Sequence, residues 1–395
     1  MDINKYLKEW SDSYRDDLAN NIMPFWIKNG LDKVNGGIYT CLNRDGSIID
    51  TTKSVWFQGR FGFIAAYAYN NIEKKAEWLE ASKSCIDFLE KYCFDTDGHM
   101  FFEVMDNGTP LRKRRYVFSE GFAAIAMAEY SIASGEKKYA ERSLQIFNDT
   151  LKFLNTPGFL EPKYLPTLET RGHSITMIMI NTAARIRLAI QDPALDKQIA
   201  DSIDNLEKYF VKPEYKALLE MVGKNGELID TCNGRTINPG HCIETAWFIL
   251  EESEHRGGDK RLTDLALKIL DWSWEWGWDK EYGGIINFRD CKNLPPQDYS
   301  QDMKFWWPQT EAIIATLYAY KISKDKKYLE MHKQISEWTY KHFPDKEFGE
   351  WYGYLHRDGT VAQPAKGNIF KGPFHIPRMM IRSHLLCNEI LSENK

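Results

Sequence analysis

The feature that most constrains this chain is a repeat. Short segments rich in glycine and aromatic residues recur along it: NGGIYTCLNRDGS (35–47), DTDGHMFFEVMDNGT (95–109), EYGGIINFRD (281–290) and FGEWYGYLHRDGT (348–360). Two weaker members, TPGFLEPKY (156–164) and KNGELIDTCNG (224–234), complete the series. One glycine marks each segment, Gly37, Gly98, Gly158, Gly226, Gly284 and Gly349, at intervals of 58 to 68 residues. Apolar residues alternating between Gly, Asn and Asp predict short β-hairpins at these places. Six units of similar length fill the chain, so the architecture must come from repetition.

Between the marks lie two kinds of helix. AEWLEASKSCIDFLEKYC (76–93) has apolar residues at helical spacing and a charged opposite face, which predicts an outer helix. Each unit also holds a more uniformly apolar stretch: RFGFIAAYAY (60–69), EGFAAIAMAEY (120–130), HSITMIMI (173–180), HCIETAWFIL (241–250), EAIIATLYAY (311–320) and HIPRMMIRSHLL (375–386). A helix that is apolar nearly all round belongs inside. One outer and one inner helix, six times over, predict an all-α (α/α)6 barrel of about twelve helices, with short β-hairpins in the loops and residues 1–395 as one domain. An open solenoid would want polar capping repeats, and none is present.

The inner stretches open on Arg60, Glu120, His173, His241, Glu311 and His375. If the six helices enter from one rim, these side chains converge on one cavity. The positive end of a helix dipole disfavours a second positive charge, so a histidine there tends to stay neutral and act as a base. Polar residues at helix starts also serve as caps, and six in register is what favours the cavity. His241-Cys242-Ile243-Glu244 and His375-Ile376-Pro377-Arg378 each place a charged group one turn from a histidine. Two histidines from different helices suit proton transfer on two faces of one carbon. His99, His255, His332, His342, His356 and His384 are expected in loops or on outer surfaces, with structural roles. His241, Glu244, His375 and His173 include the residue types of a zinc site, but Arg378 and Arg60 nearby would repel a cation, so no metal is expected. Cys242 is not expected to act as a nucleophile.

Composition excludes other classes. Lys and Arg total 51 against 56 Asp and Glu, a net charge of -5, with no basic tract to track a nucleic acid. No apolar run approaches the roughly 20 residues that span a bilayer. The charged N-terminus lacks the apolar stretch of a signal peptide, and seven cysteines without a C-x-x-C pair fit reduced thiols. The cytoplasm is the expected address. Aromatic residues make up 14% of the chain, a share that serves both a core and the apolar face of a sugar.

VWFQGRFGF (55–63), FSEGF (118–122), NPGHCIETAWFIL (238–250), MKFWWPQTEAIIA (303–315), GEWYGYLHRDGTV (349–361) and KGNIFKGPFHIPRMM (366–380) resemble the N-acylglucosamine 2-epimerase family, in its order and from about residue 25 to 385. The pairing of NPGHxxE with a distant FHxPR is the specific part. Cellobiose 2-epimerases and mannose isomerases share the barrel and both histidines, within differing surrounding motifs. The resemblance implies an (α/α)6 barrel, a homodimer, and interconversion of N-acetyl-D-glucosamine and N-acetyl-D-mannosamine in amino-sugar and sialic acid metabolism. It implies no metal or redox cofactor and admits ATP as an activator that is not consumed. Carried over, His241 and His375 are the acid/base pair at C2, Arg60 stabilises the developing oxyanion, and Glu311 and Glu244 orient or charge the histidines. Arg378, His173, Glu120 and Trp306 join Glu244 as expected substrate-binding residues. The alternatives are an aldose–ketose isomerase of mannose type, a cellobiose 2-epimerase, an inverting glycoside hydrolase using Glu120 and Glu311, and a non-catalytic protein that binds a protease.

Overall fold

The computed structural model describes residues 2–114 and 116–394. The helices it contains are α1 (Ile3–Asp17), α2 (Met23–Asn29), α3 (Val55–Asn71), α4 (Ala76–Tyr92), α5 (Phe118–Ser134), α6 (Lys137–Asn155), α7 (His173–Ala189), α8 (Pro193–Tyr209), α9 (Pro239–His255), α10 (Lys260–Gly277), α11 (Trp306–Ser323), α12 (Lys326–His342) and α13 (His375–Glu393). Local chemistry sets several of their starts. The side chains of Asp2, Asp192, Asn238, Asp259 and Asp325 each accept a first-turn backbone N–H, and Pro193 and Pro239 open α8 and α9.

The odd-numbered helices from α3 to α13 form the inner ring. Each packs on the next, and α13 returns to α3, so the ring closes as an (α/α)6 barrel. Outer helices α4, α6, α8, α10 and α12 each pack on the inner helix before them. The sixth outer position is filled from the other end of the chain, because α1 packs on α13. His332 on α12 secures this junction: it is fully buried, with Nδ1 2.7 Å from Tyr6 Oη and Nε2 3.0 Å from Tyr14 Oη. That corrects the expectation of an outer-surface histidine there. Burial pushes its pKa down to about 3, so it joins the helices as a neutral ring.

Short links join each inner helix to its outer partner, from Asn71 to Ala76 or Ser134 to Lys137, for example. The long segments therefore all gather on the rim where the inner helices begin. There the structure departs from simple hairpins. Strand pairs join 53–54 to 101–104, 170–172 to 221–223, 236–237 to 289–290, and 304–305 to 354–355. Each pair couples the residues just before one inner helix to the loop of the following unit. Local strand hairpins form at 101–104 with 110–113, at 211–212 with 217–218 and at 354–355 with 361–363; among the described residues, 156–164 and 224–234 contain no strand. Rim strands stitch neighbouring units together.

Two polar staples recur in this rim. Gln58 Oε1 accepts the Ile38 N–H at 2.8 Å, Gln309 Oε1 that of Ile285 at 2.7 Å, and Glu120 Oε1 that of Met100 at 2.6 Å. Buried lysines answer buried aspartates in the same loops. Lys53 Nζ lies 2.7 Å from Asp32, Lys304 Nζ 2.9 Å from Asp279 and Lys366 Nζ 2.7 Å from Asp345, all six side chains almost fully buried. Lys53 also donates to the carbonyls of Gly36 and Asp106, so its charge is fully partnered. Removing one member of such a pair strands the other in low dielectric. Lys53→Met is expected to lower stability by about 3–5 kcal/mol, whereas Lys113→Met, which breaks partly exposed pairs with Asp95 and Asp97, should cost under about 1 kcal/mol. Urea unfolding of the two variants checks the contrast.

Candidate active site

Two of the predicted residues lie deeper than expected. α3 begins at Val55 and α11 at Trp306, so Arg60 and Glu311 sit within their helices, not at the first turn. Extended rim backbone ends earlier than the apolar periodicity suggests. His173 and His375 do open α7 and α13, and His241 follows the Asn238 cap of α9 in the first turn, its own N–H bonded to the cap.

Glu311 is the hub of one cluster. Its fully buried carboxylate receives Trp247 Nε1 from α9 at 2.8 Å and lies 2.7 Å from both His375 Nδ1 and Arg378 Nη2 of α13. Arg378 reaches across the ring to Glu244 on α9, at 2.5 Å. The expected pairing of Glu244 with His241 is therefore replaced by an ion pair with Arg378. Burial drives the pKa of His375 well below its usual value, and the Arg378 charge adds to the effect. A neutral ring that donates from Nδ1 carries its lone pair on Nε2, the form of a base.

His241 belongs to a second cluster. Its Nδ1 lies 3.0 Å from Glu220 Oε1, and the same oxygen is 3.3 Å from His173 Nδ1. The far nitrogen of His173 meets Thr245 Oγ1 at 3.0 Å. Burial alone would favour the neutral form of His241, but the Glu220 carboxylate, with Glu244 and Glu311 behind it, outweighs burial and raises the pKa. The helix-dipole expectation of a neutral histidine thus holds for His375 and fails for His241, where a full negative charge in contact exceeds a partial positive one. The two histidines thus have their pKa values moved in opposite directions.

Trp307 spans them. Its half-buried ring lies 5.0 Å from the His241 ring and 5.8 Å from that of His375. Gly240 makes room for it, since a Cβ there would come within 2.5 Å of the indole. Trp306, the residue expected to touch substrate, is buried behind, its ring edge against His375 and Tyr354. Arg60 lies over the faces of Phe122 and Phe374, at 4.2 and 4.8 Å, and its buried Nε has no hydrogen-bond partner among the described residues. Burial pushes its pKa down to about 9, against the pull of Glu244 and Glu311.

Glu120 does not join these groups. It is the rim staple of its unit, held by His99 Nδ1 at 2.5 Å and the Met100 N–H. Arg60 follows Gln58 by two residues and Glu311 follows Gln309 by two; the matching position on α5 is Phe122. The sequence register was two residues off there, and a hydrolase using Glu120 with Glu311 loses one of its carboxylates. His99 lies in a loop, as expected, but like His332 it is buried. Cys242 is buried, its thiol donating to the Leu218 carbonyl and pushed up in pKa by burial, the character of an inert core cysteine. The ligand-type trios His173–Glu220–His241 and Glu244–Glu311–His375 each converge within 4.8 Å. In the second, the Arg378 guanidinium already neutralises both carboxylates.

Against known proteins, the family model of N-acylglucosamine 2-epimerase (GlcNAc 2-epimerase) matches residues 37–371. The N-acylglucosamine 2-epimerase of Bos taurus is 32% identical over 98% of this chain and 93% of its own length.

The chain belongs to the N-acylglucosamine 2-epimerase family.

More distantly, the cellobiose 2-epimerase of Eubacterium cellulosolvens is 26% identical over 95% of this chain and 96% of its own. The solved cellobiose 2-epimerase of Spirochaeta thermophila superposes with a TM-score of 0.85 at 20% identity, covering 99% of this chain and all of that one, a likeness of fold. Of the features around the two histidines, Glu220 and Trp307 escaped the sequence. Glu220 sits in ALLEMVG (217–223), a short apolar run that gives no direction for its one carboxylate, and adjacent tryptophans point about 100° apart on a helix. Glu120→Gln should leave turnover within about threefold while lowering the thermal midpoint, since it keeps the staple's shape and loses the His99 ion pair. Glu311→Gln should cost about 10²-fold or more in kcat with the fold retained. Steady-state rates with circular dichroism melts separate the two.

Proposed function

We propose that this protein interconverts N-acetyl-D-glucosamine and N-acetyl-D-mannosamine by moving the proton on C2. The observation that carries this is a pair of histidines against Trp307 whose surroundings shift their proton affinities in opposite directions, His375 down and His241 up. The family relationship supplies the sugar.

Ring opening exposes the C1 aldehyde and makes the C2 proton acidic. His375 Nε2 takes that proton, and the electron pair of the C–H bond moves to the C1 oxygen, giving an enediol(ate)-type intermediate with the nitrogen retained at C2. Arg60, with an unpartnered buried N–H, meets the developing oxyanion. His241 then returns a proton to C2 from the opposite face, and the electron pair withdraws from oxygen. Protons and electrons balance, so the chemistry calls for neither metal nor redox cofactor, and ATP enters only as an activator that is not consumed. Glu311 and Arg378 hold His375 in its tautomer, while Glu220 charges His241. The Trp307 face is the apolar platform for the sugar. A homodimer in the cytoplasm, serving amino-sugar and sialic acid metabolism, belongs to the same proposal.

Incubation of N-acetylmannosamine with the protein in deuterated water, with and without ATP, is expected to yield N-acetylglucosamine carrying deuterium at C2 by proton NMR. His241→Asn and His375→Asn should each lose about 10²–10⁴-fold in rate. Turnover of mannose to a ketose, or of cellobiose, with the N-acetyl sugars untouched would overturn the proposal.

A further inference from the structure

Glu220 was invisible in the sequence as a site residue, yet it is the group that makes His241 differ from His375. Its backbone is fixed on both sides: the Glu220 carbonyl accepts the His173 N–H at 3.0 Å, and its own N–H donates to the Thr236 carbonyl at 3.2 Å. It also leads directly into the strand pair of 221–223 with 170–172. Its side chain offers one oxygen to two imidazoles, 3.0 Å from His241 Nδ1 and 3.3 Å from His173 Nδ1. His173 is fully buried and anchored at its other nitrogen by Thr245. Backbone and side chain thus lock the carboxylate against the outer nitrogen of His241.

From these contacts we infer that Glu220 is a positioning residue for the epimerisation proposed above, holding His241 in the ring orientation and protonation state of the acid, with His173 as the fixed brace of that carboxylate. The inference rests on the proposed function for its kinetic meaning and on geometry alone for its effect on His241.

The electrostatics agree when every neighbour is counted. Toward His241 face Glu220 from the 217–223 segment, His173 from α7, Glu244 from its own helix, Glu311 from α11, His375 and Arg378 from α13, and Arg60 from α3. Glu244 and Glu311 are engaged by Arg378, which leaves Glu220 as the carboxylate in contact with His241. Accordingly Glu220 is held as a carboxylate, its pKa far below the usual range: burial opposes this, and the two histidines more than offset it. Without it, burial of His241 would prevail and the ring would lose its proton at lower pH.

Glu220→Gln keeps the side-chain shape and removes the charge. In that variant the His241 ring titration, followed by NMR without substrate, is expected to move down by about one pH unit or more. The alkaline limb of the kcat/KM profile should move down with it, giving about a tenfold loss above the new limb, while the acidic limb stays in place. Glu220→Asp, which restores the charge at longer reach, should fall between; it also serves if the Gln variant does not fold. A uniform fall in rate at all pH values, with the His241 titration unmoved, would overturn the inference. A protein that lacks epimerase activity but shows a Glu220-dependent His241 titration would sink the proposed function and leave this inference standing.

Discussion

The chemistry of the barrel depends on one buried carboxylate. Glu311, without exposure to solvent, ties three successive inner helices: its own α11, α9 through Trp247, and α13 through His375 and Arg378. A charge in that position is tolerable because both oxygens have donors, one of them the Arg378 guanidinium. The same bonds hold the His375 ring and leave its other nitrogen free. Packing and chemistry are therefore one arrangement at this point, and disturbing either disturbs both.

Across the ring, Glu220 does for His241 the opposite of what Arg378 does for His375. One histidine is surrounded by negative charge, the other by burial and a guanidinium. Two copies of the same side chain are thereby separated in proton affinity within one cavity, the separation that acid/base work at a single carbon requires. Trp307 lies against both rings, and Gly240 is the glycine that lets it approach.

Most of these side chains stand on the inner helices, and the rim loops that lead into those helices are of a kind that is ordinarily mobile. Here the rim is made rigid by repeated devices. Lys53, Lys304 and Lys366 neutralise buried aspartates, Gln58, Glu120 and Gln309 satisfy loop N–H groups, and paired strands couple each unit to the next. Buried ion pairs and bonded loop N–H groups fix a single arrangement, which lets the site beside this rim stay preorganised.

By itself the sequence determined the repeat, the two kinds of helix and hence the closed ring, because apolar periodicity and glycine spacing are local properties of the chain. The family motifs likewise picked out His241, His375, Arg60, Glu311, Glu244 and Arg378, all of which the structure places on the inner helices α3, α9, α11 and α13. Only tertiary structure decided who touches whom. Glu244 faces Arg378 and not its neighbour His241; Glu120 turns to a rim loop because helix α5 is in a register two residues from the one its sequence suggests; Trp307 and not Trp306 meets both histidines; Glu220 enters from a bend between two short strands, with no motif at all. Such contacts join residues on different elements, and their partners are chosen by helix rotation and rim pairing, which exist only once the ring has closed.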